Sequence, residues 1–514
     1  MKSIRKKKIS GILAIILLTF TAVAQDSKKE QKIKTLVVFF DGLRPDYITP
    51  ELMPNVYSFS QSGSYGKRHH SVFPTVTRVN ATSFSTGSYP TTHGLMGNSV
   101  YFPEINKKKG INTGDNRELE KINKATNGGL LTTTTLGEII QKAGARMMVF
   151  SSGSTGQALM QNHTVAGGAI INPELILPIS LKEEIIKEIG PIPEKKKPNK
   201  AQHQWITNAF MKYGLDSNGP LVSSIWYSDP NGTAHSNGIG DSTVTEAIKF
   251  VDAEFGRILN EMKRRNLKQY FNIIISADHG FVTHIGNTTI SDFLINEGLK
   301  KDRDSDDVVV VGRAIYVENH NAITIQKIVT ALQNQDWIGA IFSKAKNPGE
   351  LTGSIQGTLS FESIHWNHKE RAADIMVDVN WNDSINENGY AGKGYSKGLA
   401  GHGGLSPYEV NIALLVKGPS FKKNIESVLP TSNIDIAPTI LAIHGLPIPE
   451  TMNGRVIGEL LTGKTANKNT QPIKETIKTT VAIEGGSYNL ILNRTVLGEY
   501  FYVDSAQVER TLKK

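Results

Sequence analysis

Runs of consecutive apolar and β-branched residues alternate along the chain with stretches of helical periodicity. The strongest runs are IKTLVVFF at 33–40, LVSSIWY at 221–227, YFNIIIS at 270–276 and EVNIALLVKG at 409–418. Such runs are typical of strands buried on both faces of a parallel sheet. Between them, apolar residues recur every three or four positions at 242–266, which predicts a helix. The alternation predicts an α/β fold, doubly wound around a mostly parallel central sheet.

Other segments complete the predicted organisation. A further helix begins near Ser432 or Asn433 and ends before Gly445. Two segments are predicted insertions in a main domain that spans 25–470. They are 102–215, which is rich in Lys, Gly and Thr and contains the exposed linker GPIPEKKKPNK, and 305–380, whose strand, helix, strand, strand pattern predicts a small α+β cap. Residues 471–514 predict a β-rich C-terminal extension.

Residues 1–24 have the pattern of a secretory signal peptide. Five Lys and Arg residues precede a short apolar run, and AVA ends at Ala24, which is a small-residue cleavage pattern. The alternative is an uncleaved membrane anchor, but the apolar run is short for a spanning helix. We therefore predict a cleaved signal, a periplasmic or secreted protein, and no membrane attachment after cleavage.

Composition narrows the classes of function. The 514 residues include no Cys, which excludes Cys nucleophiles and Cys metal ligands. The formal net charge of +9 falls to +4 after cleavage, because 52 basic residues then face 48 acidic ones. This balance predicts no specific nucleic-acid partner, although a mild positive charge suits a small anionic substrate. The oligomeric state stays open.

Several Asp and His residues lie near the ends of the predicted strands. They are Asp41, Asp229, His235, Asp278, His279 and His402. In open α/β sheets, ligands bind beyond the carboxyl ends of the strands. Mixed Asp and His ligands suit zinc or a similar divalent ion, and two such ions can activate a nucleophile and support phosphoryl transfer. Each motif alone is compatible with a turn, whereas their joint placement predicts a metal site.

Five motifs occur in one order: FFDGLRPDY, FPTVTRVNATSFSTGSYPTTHGLMGN, SDPNGTAH, SADHG and GHGG. As a set they resemble the type I phosphodiesterase / nucleotide pyrophosphatase family of the alkaline phosphatase superfamily, over about 35–460. The resemblance implies an alkaline phosphatase-like fold and two divalent metal ions, usually Zn²⁺. It also implies a small phosphate-ester or nucleotide substrate, and hydrolysis of phosphodiester or nucleotide pyrophosphate bonds through a covalent phospho-threonine.

The resemblance also assigns residues. It implies that one metal is held by Asp41, Thr77, Asp278 and His279, and that the other is held by His235, His402 and a residue four positions before His235. The family has Asp at that last position, whereas this chain has Asn231, and the nearby Asp229 is the alternative ligand. Thr77, rather than Thr75, matches the family's nucleophile, because it lies three residues before Asn80 and about twenty before Asn98. Asn98 matches the family's Asn that binds a phosphate oxygen.

Two departures from the family pattern keep alternatives open. Arg78 stands where nucleotide pyrophosphatases usually have an aromatic residue. A guanidinium there could bind phosphate oxygens in a bidentate manner and favour monoesters, or it could point into a surface ion pair. Asn231 brings no negative charge, so its site should bind metal more weakly. The alternatives are therefore a phosphomonoesterase on the same fold and a non-catalytic phosphate- or nucleotide-binding protein.

Overall fold

The computed structural model describes residues 32–463 and 471–512, so the predicted signal peptide at 1–24 lies outside the described residues. The strands are β1 (Lys34–Phe40), β2 (Ser64–His70), β3 (Ser99–Val100), β4 (Ile111–Asn112), β5 (Met147–Ser151), β6 (Ala169–Asn172), β7 (Leu175–Leu177), β8 (Val222–Tyr227), β9 (Phe271–Ser276), β10 (Val282–Gly286), β11 (Val308–Val311), β12 (Ala314–Val317), β13 (Ile338–Ser343), β14 (Leu359–Ser360), β15 (Ile375–Val379), β16 (Trp381–Ile385), β17 (Ala391–Lys397), β18 (Ala400–Gly401), β19 (Asn411–Lys417), β20 (Glu426–Ser432), β21 (Ile473–Ile483), β22 (Gly486–Leu497) and β23 (Tyr500–Leu512).

The α-helices of the same residues are α1 (Pro54–Ser62), α2 (Thr77–Thr86), α3 (Pro90–His93), α4 (Asn116–Ala125), α5 (Leu136–Lys142), α6 (Thr155–Gln161), α7 (Lys182–Ile189), α8 (Lys200–Ala209), α9 (Asn231–Asn237), α10 (Ser242–Arg264), α11 (Ile290–Asn296), α12 (Ala322–Gln333), α13 (Pro407–Val410) and α14 (Ile436–Ile443). The predicted helix at 242–266 is α10, and Asp241 caps it by accepting a hydrogen bond from the Thr243 N–H. Among the described residues, no helix combines the length and the apolar character needed to cross a bilayer.

A nine-stranded mixed sheet lies at the centre of the described part of the chain. Its strand order is β20-β2-β19-β9-β1-β8-β5-β6-β7. Strand β1 lies between β8 and β9 and is parallel to both, with Val38 paired to Ile225 and to Ile275. The pairs β5-β8, β5-β6 and β2-β20 are also parallel, whereas β19 and β7 are antiparallel to their neighbours. The predicted α/β fold with a mostly parallel sheet is confirmed.

Both faces of the sheet are buried, as the apolar runs predict. Along β1, Leu36, Val38 and Phe40 pack into one apolar cluster, and Val37 and Phe39 pack into the cluster on the other face. Helix α10 belongs to the first cluster, and helices α2, α5 and α14 belong to the second. Each fully buried side chain of this size stabilises the fold by about 1.5–3 kcal/mol relative to exposure. The doubly wound arrangement therefore holds the strand ends in fixed positions.

The predicted insertions differ from one another in the structure. Residues 147–177, inside the segment 102–215, supply β5, β6 and β7 to the central sheet. These strands lie toward one edge of the sheet and are short, so their apolar pattern is weak. Residues 305–380 contribute α12 and a five-stranded sheet of order β11-β12-β15-β13-β14 in the described chain. The predicted first strand of that segment divides at Gly312, whose φ of +61° supports a tight hairpin turn.

The C-terminal residues form a three-stranded antiparallel sheet of order β21-β22-β23 within the described chain. Its central strand packs on the inserted sheet, because Tyr488 lies in the same apolar cluster as Phe342. The Tyr488 hydroxyl donates to the Gly339 carbonyl at 2.9 Å and accepts from the Ile341 N–H at 3.1 Å. The extension therefore packs against strand β13 of the inserted sheet.

Candidate active site

Three neighbouring parallel strands end at the same edge of the central sheet. Asp41 directly follows β1, Asp229 follows β8 after one residue, and Asp278 follows β9 after one residue. Because β1 pairs with both other strands, the three turns are adjacent. Helix α2 starts beside them at Thr77, and helix α9 starts at Asn231. The edge thus gathers most of the residues that the sequence singles out.

Asp41, Asp278 and His279 form a buried cluster in which one ligand atom from each lies within 4.8 Å of the others. Trp226 Nε1–H donates to Asp41 Oδ2 at 3.0 Å, and the Gly42 N–H donates to Asp278 Oδ1 at 3.0 Å. The remaining oxygens, Asp41 Oδ1 and Asp278 Oδ2, are buried and have no hydrogen-bond donor in the described chain. Buried carboxylate oxygens without donors are costly unless a cation compensates them.

His279 completes this arrangement. Its Nδ1 lies 2.9 Å from the Gly280 carbonyl, so Nδ1–H donates there and Nε2 carries the lone pair. Nε2 lies 3.0 Å from Asp278 Oδ2, 3.6 Å from Asp41 Oδ1 and 3.3 Å from Thr77 Oγ1. One nitrogen lone pair therefore meets two free carboxylate oxygens and a hydroxyl. The donor set fits a divalent cation of the zinc type. We call Asp41, Thr77, Asp278 and His279 the carboxylate half of the site.

The two carboxylates also perturb one another electrostatically. Burial and the neighbouring Asp278 raise the pKa of Asp41 well above its ordinary value. Burial also opposes ionisation of Asp278, but the Gly42 N–H and His279, when the imidazole is protonated, outweigh it, and the pKa of Asp278 is lowered. Like charges at this separation resist ionising together. A cation between them would remove that repulsion.

Thr77 and Thr75 have different hydrogen-bonding surroundings. The Thr75 hydroxyl donates to the Gly404 carbonyl at 2.8 Å and accepts from the Gly403 N–H at 3.1 Å. Thr77 is the first residue of α2, and its hydroxyl faces His279. The backbone N–H groups in the first turn of a helix lack intrahelical partners. Thr77 thus combines a hydroxyl next to the cluster with a helix N-terminus that suits an anion.

Asn98 is held beside Thr77 in one orientation. Its Oδ1 accepts a hydrogen bond from the Arg78 N–H at 3.0 Å. The amide Nδ2 is therefore the donor that remains for a ligand. The Asn98 carbonyl in turn accepts from the Thr113 N–H at 3.1 Å and hydroxyl at 2.8 Å. These contacts place the amide donor next to the start of α2.

A second group of candidate ligands lies beside the first. Asn231 and His235 are four residues apart in α9, so they share one helix face. Asn231 Oδ1 is buried without a hydrogen-bond donor in the described chain. His235 Nδ1 lies 3.0 Å from the Ala400 carbonyl, and His402 Nδ1 lies 2.8 Å from the Thr75 carbonyl. Both imidazoles therefore leave Nε2 free as a ligand atom. We call Asn231, His235 and His402 the imidazole half of the site.

The two halves are in direct contact. The rings of His279 and His402 stack with their centroids 3.4 Å apart, and the His235 and His402 centroids are 5.1 Å apart. The Asn231 N–H donates to the Asp41 carbonyl at 2.9 Å. Burial, together with His279 and His235, lowers the pKa of His402 well below its ordinary value. The imidazole is thus neutral, as a metal ligand must be.

Asp229 is engaged away from both halves. Its Oδ2 accepts from the Asn199 N–H at 2.9 Å and from His203 Nε2–H at 3.0 Å. Its Oδ1 accepts from the N–H and the hydroxyl of Thr233, at 3.0 and 2.8 Å. Burial opposes ionisation of Asp229, but His203 and the other donors lower its pKa. His203 lies on α8, far from the SDPNGTAH motif in sequence, so the sequence pattern did not predict its contact with Asp229.

Arg78 lies next to the carboxylate half. Its Nε is buried and has no hydrogen-bond acceptor in the described chain. Burial lowers the pKa of Arg78 to about 10, although Asp41 and Asp278 act in the opposite direction. The guanidinium stays charged at neutral pH. It is therefore a cation beside Thr77 whose Nε–H can still donate a hydrogen bond.

Comparison with known proteins gives a consistent result. A family model described as type I phosphodiesterase / nucleotide pyrophosphatase matches residues 35–403. The chain is similar to bis(5'-adenosyl)-triphosphatase enpp4 of Xenopus laevis, with 21% identity over 85% of this chain and 83% of that protein. It is 24% identical to ectonucleotide pyrophosphatase/phosphodiesterase family member 1 of Mus musculus over 48% of this chain and 24% of that protein. The chain thus matches about a quarter of the length of the latter relative.

Two solved structures resemble the fold. Murine ectonucleotide pyrophosphatase / phosphodiesterase 5, solved as an inactive variant in complex with AMP, gives a TM-score of 0.58 at 19% identity, over 84% of this chain and 100% of that chain. The alkaline phosphatase PafA, solved as a mutant, gives a TM-score of 0.60 at 15% identity, over 84% and 99%. These likenesses confirm the alkaline phosphatase-like fold. Because the family model spans most of the chain, from β1 to the loop of His402, the protein belongs to the type I phosphodiesterase / nucleotide pyrophosphatase family, a family of hydrolases.

Proposed function

We propose that the protein is a secreted two-metal phosphoesterase that hydrolyses phosphodiester or nucleotide pyrophosphate bonds through a phospho-threonine at Thr77. One observation carries this proposal. The Thr77 hydroxyl, the His279 Nε2 lone pair and two buried carboxylate oxygens without donors converge at one point. Such a set of groups suits a hydroxyl nucleophile that is activated beside a divalent cation.

The donor set of each half fits one ion. Asp41, Thr77, Asp278 and His279 would hold one, and Asn231, His235 and His402 would hold the other. When bound, two divalent ions, with zinc favoured by the ligand types, lower the pKa of the attacking hydroxyl and offset charge on the phosphoryl group. We assign Asn231 rather than Asp229 to the imidazole half, because Asn231 Oδ1 lacks a donor whereas both Asp229 oxygens accept hydrogen bonds.

The chain's own groups perform the remaining tasks. Thr77 Oγ1 forms a bond to phosphorus as the bond to the leaving oxygen breaks, and the hydroxyl proton passes to solvent. Asn98 Nδ2 and the Thr77 N–H bind a non-bridging phosphate oxygen and stabilise its growing charge. Water then attacks the same phosphorus, the bond to Thr77 breaks, and the hydroxyl is regenerated. The Nδ1 hydrogen bonds of the three imidazoles keep their Nε2 atoms in place throughout.

A phosphomonoesterase is the second candidate function, and Arg78 favours it. Its buried Nε without an acceptor lies beside Thr77, so it can bind the additional charged oxygen of a monoester. The discriminating experiment compares the zinc-loaded protein on p-nitrophenyl thymidine monophosphate, a diester, and on p-nitrophenyl phosphate, a monoester. Faster, chelator-sensitive hydrolysis of the diester supports the proposal. Faster hydrolysis of the monoester would instead support the second function. No turnover of either substrate would support a non-catalytic phosphate-binding role.

Export is a separate part of the proposal. The sequence pattern at 1–24 predicts a cleaved signal, with a periplasmic or secreted product. N-terminal sequencing of the protein recovered from outside the cytoplasm should begin at Gln25. A chain that retains residues 1–24 and pellets with membranes would contradict this part and leave the chemistry untouched.

A further inference from the structure

A groove opens directly beside the start of α2. It encloses about 580 Å³, a volume within the usual range of small-molecule sites. Arg78 lines it, and the Arg78 N–H donates to Asn98 Oδ1. The groove then runs between the N-termini of α4 and α6 to the turn between β6 and β7. A phosphoester whose phosphorus lies at Thr77 would therefore extend one of its organic groups into this groove.

The lining of the groove is polar. Arg117 contributes little free charge, since Asp115 accepts from its Nε at 3.0 Å and its Nη2 at 2.7 Å. Among the described lining residues, Arg78, whose Nε has no acceptor, is thus the cation without a carboxylate partner. The outer part presents amide, hydroxyl and carboxylate groups, namely those of Asn112, Asn116, Ser154, Thr155 and Glu174.

Glu174 is an exposed carboxylate in the lining of the groove. It lies on the turn between β6 and β7, where its N–H donates to Asn172 Oδ1 at 2.8 Å. Its Oε1 is 3.7 Å from Lys195 Nζ, which is beyond hydrogen-bond range. A carboxylate in this state can accept hydrogen bonds from ligand hydroxyls.

None of the described residues that line the groove is aromatic. Proteins that bind nucleobases draw much of the affinity from stacking on aromatic side chains, and this groove offers no such surface. Amides and carboxylates instead match the hydroxyl groups of sugars and polyols. We infer that the organic group bound in the groove is a sugar or polyol that carries no aromatic base. This inference rests on the proposed function.

Three diesters with one leaving group test the inference on the zinc-loaded protein. They are the p-nitrophenyl diesters of glycerol 3-phosphate, glucose 6-phosphate and thymidine 5'-phosphate. Each releases p-nitrophenolate, so the rates differ only through the retained group. We expect kcat/KM at least about tenfold higher for the glycerol or glucose ester than for the thymidine ester, as one or more additional hydrogen bonds to a charged group would give. Equal rates, or preference for thymidine, overturn the inference while the proposed function stands. No chelator-sensitive release from any ester overturns both.

Variants locate the preference in the groove. Glu174→Gln and Asn116→Ala should each raise KM for the preferred ester by about tenfold, and should raise KM for the thymidine ester by less. The matched control is Glu118→Gln, because Glu118 lies on α4 and pairs with Lys121 Nζ at 2.7 Å, outside the groove. If the control shifts KM as much as Glu174→Gln does, or if neither groove variant shifts it, the groove does not bind the organic group.

Discussion

The carboxylate half and the imidazole half of the site lie side by side but carry different charges. The carboxylate half contains Asp41 and Asp278, whereas the three side chains of the imidazole half are an amide and two neutral imidazoles. The contrast is also visible in their unpaired atoms. Two buried carboxylate oxygens lack donors in the first half, and one buried amide oxygen lacks a donor in the second. Ligand charge raises affinity for a divalent cation, so the halves should differ in how tightly they bind it.

The halves also differ in how the chain supports them. In the carboxylate half, Trp226 and Gly42 donate directly to the candidate ligands. In the imidazole half, no such direct donor to the Asn231 side chain is found among the described residues, and hydrogen bonds instead stabilise the turn that precedes Asn231. Asp229 binds the Asn199 N–H, His203 and Thr233, and thereby fixes residues 229–233. Position 231 therefore carries an amide, and the nearby carboxylate of Asp229, two residues earlier, supports the turn that holds it.

Removing the Thr77 hydroxyl should have the largest effect and should separate chemistry from metal binding. We expect Thr77→Ala to lower kcat by at least about a thousandfold, because the nucleophile is lost. Both halves should still bind zinc, measured by metal analysis after gel filtration. Thr77→Ser should keep measurable turnover. Thr86→Ala is the control, since the Thr86 hydroxyl donates only along the same helix, to the Thr82 carbonyl at 2.8 Å. Near-normal activity of Thr77→Ala would remove Thr77 as nucleophile.

His203 offers a way to weaken one half alone. We expect His203→Phe to lower the zinc affinity of the imidazole half by about 10- to 100-fold, the usual cost of losing an outer support of a metal site. His203→Gln, which keeps an amide donor, should restore part of it. The carboxylate half should be unchanged in a two-phase zinc titration. His444→Gln is the control, because His444 Nε2 contacts Thr35 Oγ1 at the opposite end of β1. Equal weakening of both halves would mean a general loss of stability.

Much of the site could be predicted because strand ends are strong signals. The apolar runs of β1, β8 and β9 are buried along their whole length, so their pattern is unambiguous. The acidic residues after them must then meet at one edge, since parallel neighbours end together. Thr77 and Asn98 depended on the family resemblance. Periodicity alone does not separate Thr77 from Thr75. The structure distinguishes them by their hydroxyl partners and by the position of Thr77 at the start of α2.

The remaining features depend on contacts distant in sequence. Whether Asp229 or Asn231 faces the candidate metal site is decided by the turn after β8, and the partners of Asp229 come from α8 and the preceding loop. Strands β5, β6 and β7 have three to five residues each, too few for a clear pattern in a segment rich in Lys and Gly. The polar groove is lined by residues that are distant in sequence, such as Asn116 and Glu174, which are 58 positions apart. The pattern of residues along the sequence does not predict which distant residues line the same groove.

Withdrawing metal gradually should reveal the charge difference directly. As a chelator is titrated into the zinc-loaded protein, we expect the imidazole half to release its ion first, at roughly tenfold lower chelator strength than the carboxylate half, because it lacks negative ligands. Activity should fall with the first release, since both ions are proposed to act. Metal analysis along the titration follows the two losses. Simultaneous release would show that the two ions bind cooperatively, and would contradict the expectation that the two halves differ in zinc affinity.

Restoring a carboxylate should remove most of the difference. In Asn231→Asp the new side chain lies at the buried position where Asn231 Oδ1 now has no donor, so the added charge should raise zinc affinity of the imidazole half by about tenfold. Asn237→Asp makes the same charge change at the other end of α9 and should leave affinity unchanged. An equal gain in both variants would indicate a general electrostatic effect rather than ligation. No gain in Asn231→Asp, combined with metal loss in Asp229→Asn, would assign the ligand role to Asp229, and the free amide oxygen of Asn231 would then need another partner.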